Sequence, residues 1–110
     1  MNDYTKAVLR TANLDLETSL EQRLSMGAMG LSGETGEVID LIKKIVFHKK
    51  PLDKDKLVLE LGDVFWYLEY LCLSLGINSE DVKTANIEKL NKRYPEGFTY
   101  EAANSKREEI

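Results

Sequence analysis

The chain has little of what usually announces chemistry. It holds one cysteine, Cys72, one histidine, His48, and two prolines, Pro51 and Pro95. A lone cysteine within the apolar run YLCLSL excludes an internal disulfide and a CxxC metal site. It is expected to be a buried core residue of a reducing compartment. No serine, cysteine or histidine is placed to act as a nucleophile. No stretch approaches the 18 uninterrupted apolar residues of a membrane span. The opening MNDYTKAVLR lacks the apolar segment of a signal peptide, so a soluble, cytoplasmic protein is expected. Positive charge is also short: 15 Lys and Arg stand against 19 Asp and Glu, a net charge of −4. An acidic chain with no extended basic patch is a poor partner for a nucleic-acid backbone. A phosphorylated small molecule remains open to it, provided metal ions bridge the two negative partners. Alternating strand patterns, internal repeats and low-complexity tracts are missing as well.

What is present is helical. With 43% apolar and 31% charged residues over 110 positions, the composition fits one globular domain with a modest core. Residues 2–12 form an amphipathic helix with Tyr4, Ala7 and Val8 on one face, and NLDLETS is a connector. Residues 20–32 are expected to form a short helix and 31–49 a second one, ending in KIVFHKKP. There Lys49 and Lys50 suit the negative helix end and Pro51 stops it. His48 compensates the dipole at the surface. Gly27, Gly30, Gly33 and Gly36 recur by threes, each costing about 1 kcal/mol against Ala. That cost points to a kink or to close packing on a neighbouring helix, with Gly33 and Gly36 able to leave room for a ligand. Asp53 or Asp55 caps the next helix, which runs to about Leu75 before Gly76. Asn78 or Ser79 opens the last helix, stopped by Pro95 and Gly97. Residues 99–110 are expected to be a flexible tail. The sum is an all-α bundle of four or five helices.

Two acidic pairs stand out against this frame. Glu34 and Glu37 lie three apart in GETGEV, and Glu60 and Asp63 lie three apart in ELGDV. Such spacing puts each pair on one helical face. On a wheel, Val38, Leu41, Ile42 and Ile45 form an apolar stripe, with Glu34 inside it and Glu37 on its margin. Leu57, Leu61, Val64, Leu68, Leu71 and Leu75 form the seam of the next helix, flanked by Glu60 and Asp63. Four carboxylates are then directed at an inter-helix space. Burying like charges is prohibitive without compensation, and oxygen ligands favour a hard divalent cation, Mg²⁺ first. The plainer reading leaves them as the solvated rim of a bundle. Leu59, Trp66 and Leu73 make the seam helix apolar nearly all round. That implies a homo-oligomer, with Trp66 at a subunit contact or under a covering helix. On the last helix Asn86, Lys89 and Arg93 make a cationic stripe suited to outer phosphates, beside a packing stripe of Ile87, Leu90 and Tyr94.

The ExxE pair, the ExxD pair and the following NIEKLNKRYPEGF together resemble the MazG-like, all-α nucleoside triphosphate pyrophosphohydrolases in their short, single-domain form. The resemblance covers roughly residues 24–98. It implies a helical domain, dimeric or tetrameric, that cleaves an NTP or dNTP to the monophosphate and pyrophosphate by metal-activated water attack on the α-phosphorus. By position it implies Glu34, Glu37, Glu60 and Asp63 as ligands of Mg²⁺, with Mn²⁺ as a substitute. Glu34 or Glu37 serves as the base, and Tyr67, Asn86, Lys89 and Arg93 contact substrate. The amino-terminal part carries no recognisable base-selecting residues. Two alternatives stay open, a phosphoribosyl-ATP pyrophosphohydrolase-like enzyme and a non-catalytic helical interaction module. A di-iron carboxylate centre would normally take histidine from ExxH, which neither motif supplies.

Overall fold

Helix caps set the boundaries of every element in the computed structural model, which describes residues 1–14 and 18–105. Asn2 accepts from the Thr5 N–H and opens α1, Asp3–Thr11. Ser19 and Gln22 form a reciprocal capping box at the start of α2, Leu20–Phe47. Asp53 caps α3, Lys54–Leu75, and Gly76 ends it with φ +69°. Asn78 caps α4, Ser79–Arg93, and Thr99 caps the single turn α5, Tyr100–Ala103. The described residues are helical, with no strand among them beyond an isolated bridge from Pro95 to Gly97. The all-α expectation holds. Part of the connector at 15–17 and the end of the expected tail at 106–110 lie outside the described residues.

The chain divides into two compact units, Met1–Gly76 and Ile77–Ile110. In the first, α2 and α3 run antiparallel as a hairpin. The expected break between a 20–32 helix and a 31–49 helix is absent: α2 is continuous over 28 residues. Two of its glycines are explained by close approach. A Cβ on Gly27 would strike Leu71, and one on Gly30 would strike the Tyr67 ring. Packing across the hairpin therefore offsets the lost helix propensity. Gly33 and Gly36 face open space instead.

The inward stripe of α3 differs from the expected seam. Leu57, Glu60, Val64, Tyr67, Leu71 and Ser74, all half-buried, follow one another at spacings of three and four. Leu61, Leu68 and Leu75, expected inside, are 46%, 44% and 50% exposed. The helix is rotated by about one residue because the notches at Gly27 and Gly30 admit Leu71 and Tyr67. On α2, Val38, Leu41 and Ile45 turn partly inward while Ile42 is exposed.

Helix α1 covers another side of α3. Trp66 Nε1 donates to Thr11 Oγ1 at 2.9 Å, and Trp66 stacks on Tyr70 with ring centroids 5.5 Å apart. Of the two placements expected for Trp66, this is the covering helix. Val8 and Tyr70 are the fully buried apolar residues, and Glu69 is buried among them. Thr5 Oγ1 donates to Glu69 Oε1 at 2.8 Å. Burial, reinforced by Glu69, pushes the half-buried Cys72 thiol above its usual pKa.

The second unit is held by short-range contacts of its own. Phe98 packs its ring between Tyr94 and Tyr100, at 6.1 and 5.2 Å. Ile87 and Leu90, expected to pack, are exposed, whereas Tyr94 is half-buried.

Candidate active site

The α2–α3 hairpin brings carboxylates from both acidic pairs together. Gly27 lies against Leu71 and Gly30 against Tyr67. That antiparallel register carries Glu34 and Glu37 to the level of Glu60. One oxygen of each of these three glutamates lies within 4.8 Å of the others. Asp63, the fourth expected member, is exposed and stands outside that close group. It is near enough for its charge to act on both Glu34 and Glu60. The rotation of α3 accounts for the difference: Glu60 sits within the inward stripe, and Asp63 on its edge.

The electrostatics follow from the crowding. Burial, then the charges of Glu37 and Asp63, pushes the Glu34 carboxyl above its usual range. Glu60 is raised as well, first by a hydrogen bond shared with Glu37, then by burial and the neighbouring charges. A proton shared among acids is the response of like charges that cannot all ionise. Oε2 of Glu34 and Oε2 of Glu60 are nonetheless buried without a hydrogen-bond partner. Orphaned acceptors of this kind demand a donor or a cation. An all-oxygen, carboxylate-only donor set suits a hard divalent ion such as Mg²⁺ over softer metals. The residues present fit the ion.

Tyr67, expected to line a nucleotide pocket, is half-buried. Its ring fills the notch at Gly30, one turn before Glu34, and meets Trp66 edge-on at 4.9 Å. Asn86, Lys89 and Arg93 belong to the second unit. Asn86 and Lys89 are exposed. Arg93 is half-buried, donates to the Ala103 carbonyl at 3.4 Å, and lies 5.5 Å from the centre of the Tyr94 ring. Part of its guanidinium is thus engaged in tying α4 to α5. His48 is the exposed C-cap of α2, as expected at the surface.

The sequence reading missed one feature of this groove. One helical turn beyond the carboxylates, Leu41, Ile45 and Leu57 floor a cavity of about 390 Å³ rimmed by Lys44, Lys50 and Lys56. Of these lysines only Lys50 was legible, as a helix-end charge, because their convergence depends on the turn between α2 and α3. Lys49 there takes φ +55°, which lets the Lys50 N–H return to the Lys44 carbonyl at 3.1 Å.

The MazG nucleotide pyrophosphohydrolase domain matches residues 22–98, a span that contains both acidic pairs and α4. The "Gene 37 protein" of Mycobacterium phage L5 is 38% identical over 78 residues, covering 67% of this chain and 68% of the phage protein. No solved structure matches the chain. By the extent of the domain match and by the carboxylate groove it encloses, the chain belongs to the MazG nucleotide pyrophosphohydrolase domain family.

Proposed function

We propose that this chain acts as a single MazG-like domain that hydrolyses a nucleoside triphosphate, ribo or deoxy, to the monophosphate and pyrophosphate with Mg²⁺, for which Mn²⁺ can substitute. The observation that carries the reading is the convergence of Glu34, Glu37 and Glu60 within 4.8 Å, two of them with an orphaned buried oxygen. Glu34, Glu60 and the flanking Asp63 are assigned as ligands, with Glu37 completing the set. A divalent ion bound there supplies positive charge for the phosphate oxygens and lowers the pKa of water.

The remaining work falls to the chain itself. Glu37 is the exposed member of the close group, so its carboxylate is the one that water can reach. It is assigned to take the proton from the attacking water; Glu34 is the alternative base. The water oxygen bonds to the α-phosphorus, and the bond from that phosphorus to the α–β bridging oxygen breaks. Pyrophosphate departs with the electron pair. Lys89, Arg93 and Asn86 are assigned to the outer phosphates, where cations offset charge developing on the leaving group. Tyr67, one turn from Asp63 on α3, is assigned as a further substrate contact. The exposed apolar side chains Leu61, Phe65 and Leu68 support self-association as a dimer or tetramer.

Product analysis tests the reading. The protein is incubated with canonical and modified NTPs and dNTPs, with Mg²⁺ and with a chelator. Monophosphate and pyrophosphate in equal amounts, only with the ion, is the expected result. Release of orthophosphate, or turnover unaffected by chelation, rejects it.

A further inference from the structure

We infer that the lysine-rimmed cavity at the α2–α3 turn is the seat of the nucleobase and selects bases with an oxo group where cytosine and adenine carry an amino group. The inference rests on the proposed function, because it takes the carboxylate groove as the phosphate end of the site.

Position comes first. Leu41 follows Glu37 by four residues on α2, and Leu57 precedes Glu60 by three on α3. At 1.5 Å per residue these offsets are about 6 and about 4.5 Å along the helices, on the same faces. The cavity is thus the next layer of the groove that holds the carboxylates, one turn toward the hairpin end. A nucleotide whose phosphates lie at the acids has its base at that distance. The volume, about 390 Å³, lies within the range of small-ligand pockets.

Lining chemistry decides between a base and a further phosphate. Leu41, Ile45, Leu57 and Pro51 give half the lining residues an apolar character, which suits a flat ring and not a phosphate. The charge is also modest. Lys44 is already paired with Asp40 at 3.0 Å. Asp53 adds an anion to the same wall. Lys50 and Lys56 remain, one net positive charge after Asp53 is counted.

Hydrogen-bonding direction then sets the preference. A lysine ammonium has three donors and no acceptor. The acceptor among the polar lining side chains, Asp53, is engaged by one oxygen in capping α3 through the Lys56 N–H at 3.1 Å. The wall therefore offers mainly donors. Uracil, thymine, guanine and hypoxanthine present an oxo acceptor to such a wall. Cytosine and adenine present an exocyclic amino group, and a donor facing a donor forfeits the hydrogen bond that an oxo group would accept. Discrimination of this polar kind is steeper than that from an added methylene.

Two measurements on the full chain test it. The first is binding without metal or turnover: dUMP, dGMP, dCMP and dAMP are titrated while the methyl resonances of Leu41, Ile45 and Leu57 are followed by NMR. Expected are saturable shifts with dUMP and dGMP, and affinities at least about tenfold weaker for dCMP and dAMP. The second is kcat/KM for the four dNTPs with K50E and K56E, which replace a donor by an acceptor. The oxo-base substrates should lose about tenfold or more, and the amino-base substrates should lose less or gain. Methyl resonances that stay fixed with every nucleotide overturn the inference, whatever the enzyme hydrolyses. So does a base ranking unchanged in both variants, and so does a uniform loss across all four bases, which would mark the lysines as phosphate contacts. Base-selective methyl shifts in a protein that releases no pyrophosphate would leave the cavity assignment standing and remove the proposed reaction.

Discussion

The glycines of α2 do opposite things within one turn of each other, and single substitutions should separate them. Gly30 is a socket for Tyr67. Gly30→Ala forces that ring off its seat, an overpacking cost of about 1–3 kcal/mol. In a chain of this size each kcal/mol lowers Tm by about 4–8 °C. Gly33 has no neighbour within reach of a Cβ, so Gly33→Ala should gain up to about 1 kcal/mol of helix propensity. Equal destabilisation in calorimetry would refute the assignment of close packing to Gly30 and not to Gly33. The carboxylates give a second residue-level prediction. Glu34 and Glu60 keep their protons to higher pH than an ordinary glutamate. The folded chain then binds more protons than the unfolded one in that window. The stability these groups contribute is full below the ordinary glutamate range and is lost as pH rises through the raised values. Metal-free wild type should therefore lose melting temperature as pH rises above the ordinary glutamate range, relative to Glu60→Gln, which removes one charge from the crowd. Adding Mg²⁺ should reverse the ranking at the alkaline end by linkage, stabilising wild type more than the variant. A variant that gains as much from Mg²⁺ as wild type would show that Glu60 holds no ion.

Helix α1 is fastened to α3 by two side-chain hydrogen bonds, Thr5 to the buried Glu69 and Trp66 to Thr11. Thr5→Val removes the donor that Glu69 Oε1 uses and leaves a buried carboxylate short of a partner, a cost of about 1–3 kcal/mol. Trp66 is the one tryptophan of the chain, so its fluorescence reports the docking of α1 directly. Red-shifted emission in Thr5→Val at temperatures where circular dichroism is unchanged is expected. Emission identical to wild type would mean that the Trp66–Thr11 bond and Val8 hold α1 without the Thr5 contact. At this scale the sequence was legible wherever a cap or a spacing carried the signal. Asn78, Asp53 and Gly76 bound their helices as expected, and the two acidic pairs fell on facing elements. It was not legible where several rotations or continuations satisfied the same pattern. Leu61–Leu68–Leu75 and Leu57–Val64–Leu71 are both apolar series on one helix, and only the sockets on α2 decide which turns inward. The unbroken α2 escaped for the same reason, since the cost of glycine is local but its compensation comes from α3. Arg93 kept its place in the cationic stripe, yet its bond to Ala103 depends on a turn that no periodicity announces.

For the molecule as a whole, the notable quantity is what is left outside. Val8 and Tyr70 are the only fully buried apolar residues among those described, while Leu61, Phe65, Leu68 and Leu75 of α3 are each at least 44% exposed. Their spacing of four, three and seven makes one stripe, about a quarter turn around α3 from the hairpin seam. Helix α2 adds Ile39, Ile42 and Val46, at 60%, 47% and 53% exposure. Contiguous apolar surface of this kind is costly in a monomer and is the usual mark of an obligate interface. Net charge is −4 over 110 residues, too small for self-repulsion to oppose association strongly. If the stripe is buried between copies, sedimentation should return a mass two or four times the 12.5 kDa of one chain, and Tm should rise with protein concentration. Leu61→Lys with Leu68→Lys places two charges in that interface and should yield the monomer. Because both side chains lie among the exposed residues, the helix content of the variant at low temperature should stay near that of wild type. A wild-type chain that sediments as a monomer at every concentration would rule out the interface, and the exposed leucines would then need another partner.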